Sequence, residues 1–371
     1  MFFKEKIGLI YFIAPFLPVV KNKLALILSI LLNRPYHNVK LKNGVSKKFK
    51  SSQYDIMLSF LGTVKYSSSF NINNNEELEL SFDMKNKFTI PINDLTYENE
   101  NLLELLYLGT KYGAYFIPEK ESDLIKFGDK TFKIYEKDNK KIIETRDGIK
   151  FFIDSIHPGN TIVETFIKNI HMIDSSYEWN NKIVVDVGAE CGDTPLYFAK
   201  KGAKVFAFEP VKTHFDAMIR NLQLNPTVSE RITPINAAIG KDGLLTFYES
   251  TKPGGGFGAS FVYNNQGKNF KLTKAKGYKL SSALSKFKIS HVDFLKMDCK
   301  GCEFFLTRED LKTVDRIKIE YSVKRKEFKL EQLLKVLEDA NFDYKIYRTN
   351  EKNSDSYQLS GNIYALKRGR I

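Results

Sequence analysis

Val184-Val185-Asp186-Val187-Gly188-Ala189-Glu190-Cys191-Gly192-Asp193-Thr194-Pro195 is the stretch on which the fold turns. Apolar residues run into Asp186, Gly188 and Gly192 bracket a loop, and Thr194-Pro195 marks a helix start with a capping hydroxyl and a first-turn proline. Glycines let a backbone come close to a ligand, and a helix N-terminus offers unpaired N–H groups to an anionic group. A dinucleotide fold wants G-x-G-x-x-G here, and its absence counts against a nicotinamide-dependent oxidoreductase. Taken alone, the motif is also compatible with a turn that serves only helix–strand packing.

The next strand, Ala203-Lys204-Val205-Phe206-Ala207-Phe208-Glu209-Pro210, ends in an acid. A carboxylate at the C-terminal end of the second strand is placed to accept both hydroxyls of a ribose. Glu209 follows the glycines by about twenty residues, the spacing that such geometry needs. A solvated strand-end carboxylate is the plainer reading of Glu209 alone; the two motifs in series favour an adenosine-bearing ligand.

Working outward, strands alternate with helices from Thr161 to the C-terminus. Ile162, Phe166, Ile170 and Ile173 recur at helical spacing, so an amphipathic helix is predicted over Thr161–Ile173. Strands are predicted at Lys182–Val187, Lys204–Glu209, Ile232–Ala238, Val292–Asp298, Arg316–Tyr321, Tyr344–Arg348 and Asn362–Lys367. Helices are predicted near Pro195–Lys201, Thr213–Leu224, Ser281–Phe287, Glu303–Asp310 and Phe328–Ala340, with a hairpin over Gly243–Glu249. This is the pattern of an α/β fold, a doubly wound and mostly parallel seven-stranded sheet. Residues 51–155 read differently, as short strands with turns at Phe127–Lys130 and Arg146–Gly148 and one helix near Asn99–Tyr107. Three parts are therefore expected: a basic apolar segment over 1–50, a β-rich α+β accessory domain over 51–155, and the α/β domain over 156–371.

With these motifs in place, the sequence resembles the FkbM family of methyltransferases from about Ile162 to Leu366. The markers are Asp186-Val-Gly-Ala-Glu-Cys-Gly-Asp193, Phe208-Glu209-Pro210, Asn221-Leu-Gln-Leu-Asn225, Asn236-Ala-Ala-Ile-Gly240, Leu295-Lys-Met-Asp298-Cys-Lys-Gly-Cys-Glu303 and Ile317-Lys-Ile-Glu320. The resemblance implies a class I methyltransferase fold, S-adenosylmethionine as cofactor, and O-methylation of a hydroxyl on a glycan or other hydroxylated metabolite. It places Asp186, Gly188, Ala189, Glu190, Gly192, Glu209, Pro210, Asn236, Ala237 and Asp298 at cofactor-binding positions. The sequence departs from the family at Lys300, where an acid is usual. That departure keeps open a cofactor-binding protein without turnover; a basic RNA methyltransferase rests on net charge alone.

Methyl transfer from a sulfonium is an in-line displacement, and most of its acceleration comes from holding acceptor and methyl about 3–3.5 Å apart in alignment. A neutral hydroxyl also gains from a general base within hydrogen-bond reach. Asp298 and Glu320 end neighbouring predicted strands and are the paired catalytic candidates, as base or for acceptor orientation. For Glu320 the plainer reading is an ion pair with Lys324 or Arg325. Cys191, Cys299 and Cys302 form no disulfide framework in 371 residues, so reduced packing cysteines in a cytoplasmic protein are expected. No metal site is expected, because a second zinc-type pair is missing.

The net charge is +13, and residues 1–50 hold ten Lys or Arg against the single acid Glu5. Their apolar runs, Ile7–Val20 and Leu24–Leu32, are each shorter than the roughly 20 residues of a spanning helix. Two readings follow: core elements with snorkelling lysines, or a segment resting peripherally on an anionic inner membrane face. The basic residues mix with Leu and Ile and not with stacking aromatics, so nucleic acid ranks last as a partner.

Overall fold

The structure, a computed structural model, describes residues 10, 13–73, 77–81, 87–91, 96–112, 115–118, 131–171, 176–250, 270–323, 328–348 and 359–369. The chain forms two compact units, one over Met1–Gly148 and Phe152–Val163, the other over Ile149–Phe151 and Glu164–Ile371.

In the first unit, a helix at Lys23–Leu31 leads to an antiparallel hairpin, Tyr36–Lys40 with Ser46–Lys50. Helices at Tyr54–Tyr66 and Tyr97–Tyr112 supply the core through Met57, Phe60, Leu61 and Val64 on one and Leu102, Leu103, Leu105 and Leu106 on the other. Antiparallel strands Ser69–Ile72, Glu77–Ser81 and Lys87–Pro91 form one small sheet, and Tyr115–Pro118, Thr131–Lys137 and Lys140–Thr145 belong to a second. The described residues before Ser51 pack on the two core helices: Phe49 lies 5.4 Å from Phe60, Phe16 lies 5.6 Å from Tyr107, and Lys65 donates to the Pro15 carbonyl. The helix over Tyr54–Tyr66 has no counterpart in the sequence reading. Its Gly62 looks like a helix breaker, yet a Cβ there would meet the Tyr107 ring at 2.3 Å. The glycine is what lets the two core helices approach. The expected turn at Phe127–Lys130 lies outside the described residues.

The second unit is built on a seven-stranded sheet. Its strands are β1 (Ile183–Val187), β2 (Lys204–Phe208), β3 (Ile232–Ile235), β4 (Val292–Met297), β5 (Val314–Val323), β6 (Phe342–Arg348) and β7 (Leu359–Lys367). Their spatial order is β3-β2-β1-β4-β5-β7-β6. The first five pair in parallel, and β7 runs antiparallel to both neighbours. The order reverses between β1 and β4, where open α/β sheets bind ligands beyond the strands' C-terminal ends.

Four elements differ from the sequence reading. The amphipathic segment is a π-helical stretch at Pro158–Ile167, and Ile173 lies outside the described residues. The helix predicted over Glu303–Asp310 is two short 3-10 turns, Cys302–Phe305 and Glu309–Leu311, because Glu303 and Asp310 spend their carboxylates on nearby backbone N–H groups. The third strand stops at Ile235, and Ala238–Ile239 leaves the main sheet to pair with Phe270–Tyr278. Gly243–Ser250 pairs with that same strand along its whole length, so it is one arm of a long ribbon and not a self-contained hairpin.

Candidate functional site

The loop after β1 is shaped by three residues with left-handed backbone: Gly188 at φ 83°, Glu190 at 45° and Gly192 at 88°. Gly188 cannot carry a side chain, since a Cβ would lie 2.1 Å from the Asp298 carbonyl oxygen. The loop is tied to β2: Gly188 and Ala189 N–H groups donate to the Phe208 carbonyl. Asn221, wholly buried, donates to the Cys191 carbonyl from the opposite side. Helix Asp193–Lys200 starts directly after Gly192.

Glu209 stands just past β2 and is 4% exposed. One carboxylate oxygen accepts from Glu190 N at 2.9 Å and the other from Val211 N at 2.8 Å. Burial pushes its carboxyl above the ordinary range, while His214 and the two N–H groups pull the other way. Each oxygen retains acceptor capacity for a hydroxyl. Asn236 donates to the Glu209 and Pro210 carbonyls, which fastens the end of β3 to the end of β2 beside the buried Ala237. Asn236 and Pro210 thus shape the cradle through the backbone.

Across the sheet a polar ladder runs where sequence reasoning saw only strand. In register, Asp186 stands opposite Lys296, Lys296 opposite Lys318, and Lys318 opposite Tyr364. Residues in register share a face. Lys296 Nζ lies 2.8 Å from Asp186 Oδ1 and donates to the Gly188 carbonyl, so the wholly buried Asp186 supports the loop from beneath. Burial raises the Asp186 carboxyl, and Lys296 opposes that rise. Lys318 is 0% exposed, 3.9 Å from Glu320 Oε2, and its Nζ has no hydrogen-bond partner; burial lowers its pKa.

One step further along the same strands come the two candidate acids. Burial works against the Asp298 charge, but Lys300, Lys296 and Lys318 outweigh it and hold the carboxyl well below the usual range. Lys300, the residue that departs from the family pattern, lies 3.4 Å from Asp298 Oδ1. Glu320 moves the opposite way, raised by the neighbouring Asp298 charge and then by burial. Glu164 joins them: burial, then Glu320 and Asp298, push it up to about 7. Lys324 and Arg325, the expected ion-pair partners of Glu320, lie outside the described residues.

Glu303 faces inward. Its carboxylate accepts from Gly301 N at 2.7 Å and from Ser322 N at 3.2 Å, and burial raises it to about 7. It buckles the loop that carries Asp298. Cys299 and Cys302 close the same loop as a disulfide, their Cα atoms 5.5 Å apart, so they are not the reduced packing residues expected; Cys191 is buried and free. The reason is the tight turn at Lys300 and Gly301, both in left-handed backbone, which brings positions three apart into bonding range.

Glu164, Thr165, His171, Asp193, Lys296 and Lys318 were missed as site residues. Thr165 hydrogen-bonds both Asp193, whose carboxyl burial raises to about 6, and His171. A lysine flanked by apolar residues in two adjacent strands, Leu295-Lys296-Met297 and Ile317-Lys318-Ile319, was the available signal.

A family model for the methyltransferase FkbM domain matches residues 186–344. No curated relative matches the chain by sequence. Among solved structures, the precorrin-6y C5,15-methyltransferase of Geobacter metallireducens is 10% identical, with 56% of this chain and 92% of that one covered at a TM-score of 0.34. An O-methyltransferase of Bacillus cereus in complex with SAH is 12% identical over 58% and 83%, at 0.32. The magnesium protoporphyrin IX methyltransferase of Synechocystis PCC 6803 with bound SAM is 13% identical over 51% and 71%, at 0.27. The donor set suits S-adenosylmethionine: a glycine-shaped loop at a helix start, and an acceptor-only carboxylate at Glu209 for ribose hydroxyls. Over residues 186–344 the chain matches the methyltransferase FkbM domain, and the residues around β1 and β2 fit S-adenosylmethionine as its cofactor.

Proposed function

We propose that this domain is an O-methyltransferase whose acceptor is a hydroxyl on a glycan or other hydroxylated metabolite. The observation that carries the reading is the split between two adjacent carboxylates, Asp298 held ionised by three lysines and Glu320 shifted upward beside it. Environments that push neighbouring acids apart mark distinct roles. A carboxylate far below the usual range is a weak base, so Asp298 orients the acceptor by accepting a hydrogen bond. Glu320 is the better proton acceptor.

Room for an acceptor lies on the neighbouring strands β6 and β7. A cavity of about 700 Å³ is lined by Asn169, Asp343, Lys345, Tyr347, Asn362 and Tyr364, among others. Asn362 pairs in register with Glu320, and Tyr364 with Lys318, so the cavity wall on β7 neighbours the strand that carries Glu320. Asn362 Oδ1 is buried without a hydrogen-bond partner, and the Tyr347 ring is 56% exposed and packs edge-on to Tyr364. An amide for hydroxyls and an aromatic face for the apolar side of a ring suit a sugar.

When bound, the cofactor supplies the electrophilic methyl group. Glu209 and the Gly188–Gly192 loop hold it, Asp298 orients the hydroxyl, and Glu320 takes its proton. Glu320→Gln is expected to keep cofactor affinity by calorimetric titration while methyl transfer to the acceptor falls by about 10²–10⁴-fold. The acidic limb of the wild-type pH profile should lie above the ordinary carboxylate range, because Glu320 must lose its proton to act and its pKa is raised. Near wild-type turnover by Glu320→Gln would move the base elsewhere. Transfer of labelled methyl only to amines across a panel of glycans, hydroxylated metabolites and amines would reject the hydroxyl acceptor.

A further inference from the structure

The helix Lys23–Leu31 is apolar on both sides. Leu26 and Ile30, four apart, are 0% and 2% exposed and face the core of the first unit. Leu24, Leu28 and Leu32, also spaced by four, are 70%, 45% and 60% exposed on the opposite side, and Tyr36 just beyond is 45% exposed. Residues four apart on a helix share a face, so the three leucines form one stripe. A helix that is apolar all round belongs to a buried setting on every side, in a core or against lipid.

The exposed charges of residues 21–50, which carry the stripe, are of one sign. Lys21, Lys23, Arg34, Lys40, Lys42, Lys48 and Lys50 are all exposed, and the sequence has no Asp or Glu between Glu5 and Asp55. Lys48 sits 4.1 Å over the Tyr36 ring, which brings a cation to the edge of the apolar strip. Among the described residues, no helix is long and apolar enough to cross a membrane.

We propose that the Leu24–Leu28–Leu32 stripe with Tyr36 is a docking surface for an anionic lipid bilayer. Leucine side chains enter the boundary below the headgroups, Tyr36 sits at headgroup level, and the lysines and Arg34 contact lipid phosphates. A bilayer supplies an apolar layer beneath a continuous anionic one, which matches an apolar strip with cations around it. Each nearby cation adds about 1 kcal/mol, roughly a fivefold gain in partition. The inference is independent of the methyl-transfer reading, since it uses only residues 21–50.

The experiment is co-sedimentation of the full chain with phosphatidylcholine vesicles, with and without phosphatidylglycerol, at low and high salt. Binding is expected only with the anionic lipid and should weaken as salt shortens the Debye length from about 10 Å at 0.1 M to about 3 Å at 1 M. Replacing Leu24, Leu28 and Leu32 together by Ser should lower binding at least tenfold. Those side chains are exposed, so the thermal midpoint should hold, and circular dichroism checks that the fold is kept. Replacing Lys21, Lys23 and Arg34 by Gln should lower binding and flatten its salt dependence. No binding to anionic vesicles at low salt overturns the proposal, as does full binding by the folded triple Ser variant. A dimer in solution that the Ser substitutions dissolve, with vesicles ignored, assigns the stripe to a second copy of the chain and equally overturns it.

Discussion

Glu209, proposed above to hold a ligand, already serves the fold. Its two oxygens accept from the N–H groups of Glu190 and Val211, so it braces the loop after β1. Glu209→Ala removes a charged acceptor and leaves those donors unpaired. Cofactor affinity should drop by about 1.5–3 kcal/mol, read by calorimetric titration. Glu209→Gln separates the two roles. It keeps the shape of the side chain and one carbonyl acceptor while removing the charge, so its loss should be intermediate. If the Ala variant binds the cofactor as tightly as wild type, the end of β2 does not hold the ribose. Lys300 is the other telling residue: it pairs with Asp298 and lowers its carboxyl, which makes Asp298 the weaker base of the two acids.

At the scale of the element, the loop from Asp298 to Glu303 is fastened twice. The Cys299–Cys302 disulfide closes a ring of four residues, and Glu303 accepts from Gly301 N inside it. Loop-closure entropy for so short a ring gives a stabilisation of about 2 kcal/mol at most. Urea unfolding of the double Cys299→Ser, Cys302→Ser variant should therefore show a loss of about that size or less. Reduction of the wild-type protein should give the same loss. Mass shifts on alkylation before and after reduction check the premise; two thiols reactive without reductant would refute the bond.

At the scale of the whole molecule, three carboxyls, Glu303 buried and Glu164 and Asp193 partly so, make folding of the second unit depend on pH. Glu164 and Glu303 are raised to about 7 and Asp193 to about 6, burial being the largest cause in each case. The folded state therefore holds these protons more tightly than the unfolded chain, whose carboxyls ionise near 4. Their contribution to stability is fully present below the unfolded values and is lost as pH rises through about 6 to 7. Glu164→Gln fixes one of them in a neutral form. It should raise unfolding free energy at pH 8 relative to wild type and leave it nearly unchanged at pH 4.5, measured by denaturant titration. An equal effect at both pH values would mean that Glu164 does not keep its proton in the folded state. Because the chain has two compact units, the transition of the second must be followed separately, for instance through Trp179 fluorescence.

What the sequence determined by itself was local and periodic. Apolar runs ending in Asp186, Glu209 and Asp298, with helices between them, were enough to place the strand ends, because strand length and glycine loops are written in neighbouring residues. The FkbM resemblance rested on those same strand ends. The character of those acids came from the folded arrangement around them. Asp298 and Glu320 read alike as strand-end carboxylates, yet three lysines from other positions lower one while the first raises the other. Nothing in the periodicity singled out Lys296 and Lys318, and the register turned them inward together. The N-terminal runs show the same limit from the opposite side. Their composition was equally compatible with core and with membrane, and the helix at Lys23–Leu31 buries one apolar face while leaving the other bare. Periodicity records which residues share a face. Which face meets the core, and what charge stands opposite, depends on parts of the chain that are distant in sequence.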